Sequence, residues 1–79
     1  MDLEHNVLGK LGVLSVATRG AVGAGEVLLT LNGSTEAYLA WSETPLVKGT
    51  RVVVLAERGV RTVDVASCDD AGFPLFGSI

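Results

Sequence analysis

Histidine and cysteine are almost missing from this 79-residue chain, which has one of each, His5 and Cys68. One thiol cannot form an internal disulfide. Two ligands cannot build a structural zinc site, which takes three or four thiolates or imidazoles, so no metal is expected. Cys68 reads as a small apolar residue or a spare thiol, and a lone cysteine suits reducing surroundings. Aromatic residues make up only 5% of the chain, so the core must be aliphatic. No apolar run approaches the ~18 residues of a membrane span, and no signal peptide is visible.

An excess of positive charge is missing too. The net charge is −3, with Asp2, Glu4, Asp69 and Asp70 near the two ends. Between Val7 and Ala66 six basic residues (Lys10, Arg19, Lys48, Arg51, Arg58, Arg61) meet five acidic ones (Glu26, Glu36, Glu43, Glu57, Asp64). A nucleic-acid binder shows a basic excess or stripe, and nucleic acid is not the expected partner. Helical periodicity is absent throughout.

What the chain does have is valine, leucine, alanine and glycine. Apolar residues reach 48%, enough for one core of modest stability and too much for a disordered chain. The clearest stretch runs from Gly25 to Trp41: two apolar-rich runs of strand length joined by Asn32-Gly33. Both turn residues tolerate positive φ, so Asn-Gly predicts a tight β-hairpin. Alternation puts Val27, Leu29 and Leu31 on one face of the first run, with Glu26, Leu28 and Thr30 on the other. The run from Thr35 to Trp41 is mixed on both faces, and its alternation does not say which side is buried.

Three more strands are predicted, over 12–18, 50–56 and 60–66, the last with Val63 and Val65 inward. Glu57-Arg58-Gly59 is read as the hairpin connection between the last two, with Arg51 and Arg61 as neighbours on the outer surface. Pro45 bars a central strand between Ser42 and Gly49, and those eight residues cannot hold a helix of usual length. A short turn at Leu46-Val47 would plug one end instead. Five short strands with turns every ten residues or so predict an all-β fold, and closure buries two-sided apolar runs and hides edges. The expected architecture is a small five-stranded OB-like (oligonucleotide-binding) barrel without the helix between strands 3 and 4. It occupies residues 7–66, after a frayed leader or expression remnant at 1–6. An irregular tail follows at 67–79, whose Phe73, Leu75, Phe76 and Ile79 can dock on an apolar patch or stay exposed.

Chemistry is hard to find. The loop at 19–25 carries Gly20, Gly23 and Gly25, but it leads into a strand and not into a helix whose amides would meet a phosphate. Serines are plentiful, yet the single histidine lies in the leader and the acids are scattered, so no nucleophile–base pair is expected and no enzyme. A biotinyl- or lipoyl-type carrier would present a lysine at a hairpin tip. Lys48-Gly49 lacks the flanking residues of such a site, so no cofactor is expected. Strands two and three of an OB fold stack bases on aromatics, but Tyr38 and Trp41 fall on opposite faces of one strand. As partner-binding residues the candidates are Trp41, Tyr38 and Leu28, an aromatic anchor and an outward apolar spot.

The order Gly9-x-x-Gly12, a glycine-rich loop, Gly25-Glu26-Val27, an Asn-Gly hairpin, Ala40, Gly49-x-x-Val52-x-Val54 and Val63-x-Val65 resembles the C-terminal soluble domain of NfeD-like proteins over about residues 7–66. The resemblance implies a five-stranded OB barrel lacking the usual helix and working as a protein-interaction domain with flotillin- or stomatin-like membrane scaffold proteins. It also implies a prokaryotic protein that is either cytoplasmic or held at the cytoplasmic face of a membrane, reached there through its partner or through transmembrane segments outside this sequence. The protease domain of longer relatives has no counterpart here. The alternative for an OB-like barrel is a single-stranded nucleic-acid module.

Overall fold

A computed structural model describes residues 6–69 of the chain. Its elements are β1 (Leu11–Val16), β2 (Gly25–Leu31), β3 (Ser34–Trp41), β4 (Arg51–Gly59) and β5 (Thr62–Ser67). They close into a barrel in the order β1-β2-β3-β5-β4, with β4 returning to β1. All neighbours are antiparallel except β3 and β5, which run parallel over Leu39↔Thr62, Ala40↔Val63 and Trp41↔Asp64. This is the strand order of an OB-type Greek-key barrel, as the turn spacing leads one to expect.

Asn32 and Gly33 take φ values of 54° and 83°, the left-handed pair that a type I′ turn demands. The β2–β3 register then runs without a shift from Gly25↔Ala40 to Leu31↔Ser34. Val27, Leu29 and Leu31 point inward together with Leu14, Val52, Val54, Val63 and Val65. On β3, which alternation left unassigned, Tyr38 and Ala40 are the inward residues. Val7 joins the same cluster ahead of β1, so the lead-in closes one end of the barrel.

Close approach explains two of the glycines. A Cβ at Gly12 would lie 2.6 Å from the Leu28 carbonyl oxygen, and one at Gly25 would overlap the carbonyl oxygens of Val16 and Ala17. Backbone atoms cannot move aside as a side chain can, so β1 and β2 pack at this distance only without a Cβ.

The link from β3 to β4 is a clasp and not a helix. The buried Thr18 shares a 2.6 Å hydrogen bond between its Oγ1 and Ser42 Oγ, and the Leu46 amide donates to the same Oγ1 at 2.9 Å. Thr18 N–H in turn donates to Leu46 O at 2.9 Å. These bonds pin the loop against the end of β1 and seat Leu46 on the core, the plug expected at Leu46-Val47. The turn at 47–50 has Gly49 at φ 92°.

Two expectations fail. The β4–β5 turn lies at Val60-Arg61 and not at Glu57-Arg58-Gly59, because β4 runs on to Gly59 and Arg61 takes the left-handed conformation at φ 51°. Arg51 and Arg61 are consequently not neighbours: Arg51 opens β4, whereas Arg61 sits in the turn at its far end. At the C-terminal side β5 extends through Ser67, and the amide of the buried Cys68 donates to Arg51 O at 2.9 Å. The leader reading falls mainly on residues 1–5, and the tail reading mainly on residues 70–79, outside the described region.

Candidate functional site

β4 departs from regular pairing twice. Val54↔Val65 is followed by Ala56↔Asp64, and Glu57↔Val63 by Gly59↔Thr62, so Leu55 and Arg58 are extra residues in the ladder. A bulge re-aims the side chain that it carries. Both of these side chains line one groove of about 690 Å³, together with Trp41, Leu46, Asp64 and Ala66. It lies between the β3–β4 clasp and the outer side of β4 and β5.

Trp41 and Asp64 come side by side because β3 and β5 pair in parallel at that position. Arg58 reaches over both. Its Nε lies 2.7 Å from Asp64 Oδ1, and its Cζ stands 4.8 Å from the centroid of the Trp41 ring. The half-buried indole thus has one face against a guanidinium, a cation–π contact between two residues that line the groove.

Arg61 makes a matching arrangement at the turn. It donates to Glu36 Oε1 at 3.1 Å and to Ala37 O at 2.8 Å, with Cζ 4.8 Å above the Tyr38 ring. Tyr38 is buried and Arg61 covers the ring, which leaves no broad face for a partner. Leu28 sits on the outer surface between Val13 and Ala37 and does not line the groove. Of the three residues singled out from sequence, only Trp41 stands in the groove. Leu55, Arg58 and Asp64 went unnoticed there, since alternation through a bulge carries no signal of its own.

The groove chemistry suits binding. Among the described residues that line it there is no histidine and no lysine, and Ser42, which does line it, donates to Thr44 O at 2.7 Å while bonded to Thr18. Among the described residues no group of three or more His, Cys, Asp or Glu is placed to hold a metal. A lining that joins Trp41, Leu46, Leu55 and Val65 to the Arg58–Asp64 pair, Glu43 and several hydroxyl groups matches the mixed composition of protein-recognition sites.

Comparison with known proteins gives this barrel a family. The model of the NfeD C-terminal domain matches residues 11–66. The chain belongs to that family. Among solved structures, the soluble domain of the NfeD protein YuaF from Bacillus subtilis is similar at 28% identity and a TM-score of 0.61, over 75% of this chain and 70% of that one. The search of curated proteins found no match. The NfeD-type barrel therefore keeps its closed five-strand form here with a hydrogen-bonded clasp in the β3–β4 link. Among the described residues no helix is long and apolar enough to cross a membrane.

Proposed function

We propose that this NfeD-type barrel is a non-enzymatic interaction domain that engages a flotillin- or stomatin-like membrane scaffold protein through the Trp41 groove. The observation that carries this reading is the half-buried Trp41 at the wall of an apolar groove, stacked under Arg58. Tryptophan and arginine dominate the energetics of protein interfaces, where a rigid ring fills a desolvated site. The engaged hydroxyl of Ser42 supports a binding role over a hydrolytic one. A membrane location would follow from the partner.

Titration of the full chain with a purified flotillin- or stomatin-type scaffold protein tests this. Trp41→Ala should weaken binding by roughly 30-fold or more, which corresponds to the loss of about 2 kcal/mol typical of a hot spot. Binding that survives this substitution unchanged would place the interface elsewhere, and the absence of binding by the unaltered chain would overturn the partner. A labelled single-stranded oligonucleotide is the control, and no salt-sensitive binding is expected with it.

A further inference from the structure

The arginines of the β4–β5 hairpin are both partnered. Arg58 pairs with Asp64 and lies over Trp41, and Arg61 pairs with Glu36 and lies over Tyr38. Arg19, in the β1–β2 loop, is exposed and has neither a carboxylate nor a ring partner among the described residues. Its side chain nevertheless has a seat. The loop closes on itself, with Arg19 N–H donating to Gly23 O at 3.0 Å and Val22 N–H to Arg19 O at 3.3 Å. A Cβ on Gly23 would overlap Nη2, Nε and Cζ of Arg19, so the guanidinium lies directly against this glycine.

Neither backbone conformation nor backbone crowding accounts for a glycine at position 23. Unlike Gly20 at φ 66°, Gly23 does not take the left-handed conformation. The three heavy atoms nearest to its missing Cβ all belong to the Arg19 side chain. The loop also meets the groove. Ala21 lines the groove and forms an isolated bridge with Arg19. A Cβ on Gly20 would stand 3.4 Å from the carbonyl oxygen of Glu43, another lining residue. Val22, between Ala21 and Gly23, is 80% exposed. An unpaired guanidinium and an exposed valine thus stand at the edge of the groove.

We propose that Arg19, seated on Gly23, is a second anchor beside the Trp41 groove. It takes the carboxylate of an Asp or Glu side chain in the segment of a protein partner that fills the groove. This rests on the reading of the groove as a protein-binding site. A guanidinium offers five N–H donors in a planar fork, which match the two oxygens of a carboxylate. The seat holds the fork in place, so less side-chain freedom is lost on binding. One cation does not make the basic stripe that a nucleic acid or an anionic membrane requires, and Glu43 on the groove wall would repel either. A segment with one carboxylate beside apolar residues meets both conditions.

Two short peptides separate the carboxylate from the apolar contact: acetyl-Glu-Leu-Leu-amide and acetyl-Gln-Leu-Leu-amide. Each is titrated into the full chain and followed through the amide and indole N–H resonances. The glutamate peptide should bind about fivefold more tightly or better, and both should shift the Trp41 indole. The preference should vanish in Arg19→Ala and shrink in Gly23→Ala. The unfolding midpoint of Gly23→Ala should not fall, because only the tip of a flexible side chain has to move. Equal binding of the two peptides with the indole shifted would overturn the Arg19 anchor and leave the groove standing. A glutamate preference that needs Arg19 but leaves the indole unmoved would keep the carboxylate site and overturn the groove. Binding of neither peptide refutes both, and a full preference in Gly23→Ala refutes the seat. Sedimentation of the chain with phosphatidylglycerol vesicles, lost in Arg19→Ala, would assign the guanidinium to a lipid phosphate and sink the proposal.

Discussion

The molecule contains two tight hairpins that close their turns by different means. At Asn32-Gly33 the residues themselves prefer positive φ, the register runs without a shift and one face of each strand enters the core. At Val60-Arg61 a bulky residue is held at φ 51°, and the strand before it bulges twice. Leu55, Glu57, Arg58, Val60 and Arg61 are all exposed. The first hairpin is determined locally and serves the fold. The second is held by contacts from β3 and β5, through Glu36, Ala37 O and Asp64. A left-handed non-glycine residue is costly and persists only where its surroundings over-determine it, a pattern common at functional positions. It is this second hairpin whose bulged side chains line the groove.

Removing the same side chain from each hairpin should give the largest contrast. Leu29 on β2 is fully buried, and Leu29→Ala should cost about 2–5 kcal/mol, lost burial plus a cavity, enough to unfold much of a small domain. Leu55 is exposed at a bulge, so Leu55→Ala should change stability by less than about 0.5 kcal/mol. Denaturant unfolding of the two variants measures both. A cost for Leu55→Ala approaching that of Leu29→Ala would mean that the second hairpin belongs to the folding core after all.

The turns themselves give the next contrast. Gly33→Val puts a β-branched residue at positive φ and should cost about 1–3 kcal/mol. Arg61→Gly relieves strain of about 1–2 kcal/mol. It also removes an exposed ion pair worth at most about 1 kcal/mol and a ring contact of about 0.5–1 kcal/mol. The expected net change is under about 1 kcal/mol, read from thermal unfolding. Stabilisation by the full strain energy would show that the Glu36 and Tyr38 contacts contribute nothing, and clear destabilisation that they hold the turn.

The same division explains what could be read from the chain. Asn32-Gly33 and the alternation of Val27, Leu29 and Leu31 are local signals, and the β2–β3 hairpin follows from them. Val63 and Val65 point inward as alternation demands. Gly59 drew the second turn two residues early, because a glycine is the usual occupant of positive φ and nothing near Arg61 in sequence announces its partners, Glu36 and Ala37, some 25 residues away. β3 could not be assigned a face since Tyr38 has a polar tip and Ala40 little area, and burial there depends on β5 as a parallel neighbour. Thr18, Ser42 and Leu46 form their clasp across 24 and 28 residues of chain. Of the candidate site, Trp41 was legible as the one tryptophan. Leu55 and Arg58 join the groove beside it at positions where bulges interrupt the alternation.

The smallest expected energetic effect falls within the groove, at the pair of Arg58 and Asp64. Both side chains are partly exposed, so the ion pair is worth about 0.5 kcal/mol, at most about 1, and less in salt. Asp64→Asn, which breaks only the ion pair, should move the unfolding midpoint by no more than about 2–4 °C, and Arg58→Ala, which also removes the ring contact, by a few degrees more. The two should differ in tryptophan fluorescence, which here reports on Trp41 alone because it is the single tryptophan. Arg58→Ala uncovers one face of the indole and should shift its emission to the red. Asp64→Asn leaves the guanidinium in place over the ring if the cation–π contact is what positions it, and the emission then stays put. A red shift in Asp64→Asn equal to that of Arg58→Ala would instead make the carboxylate the positioning group. The stack on Trp41 would then be a consequence of the parallel β3–β5 pairing that sets Asp64 beside it.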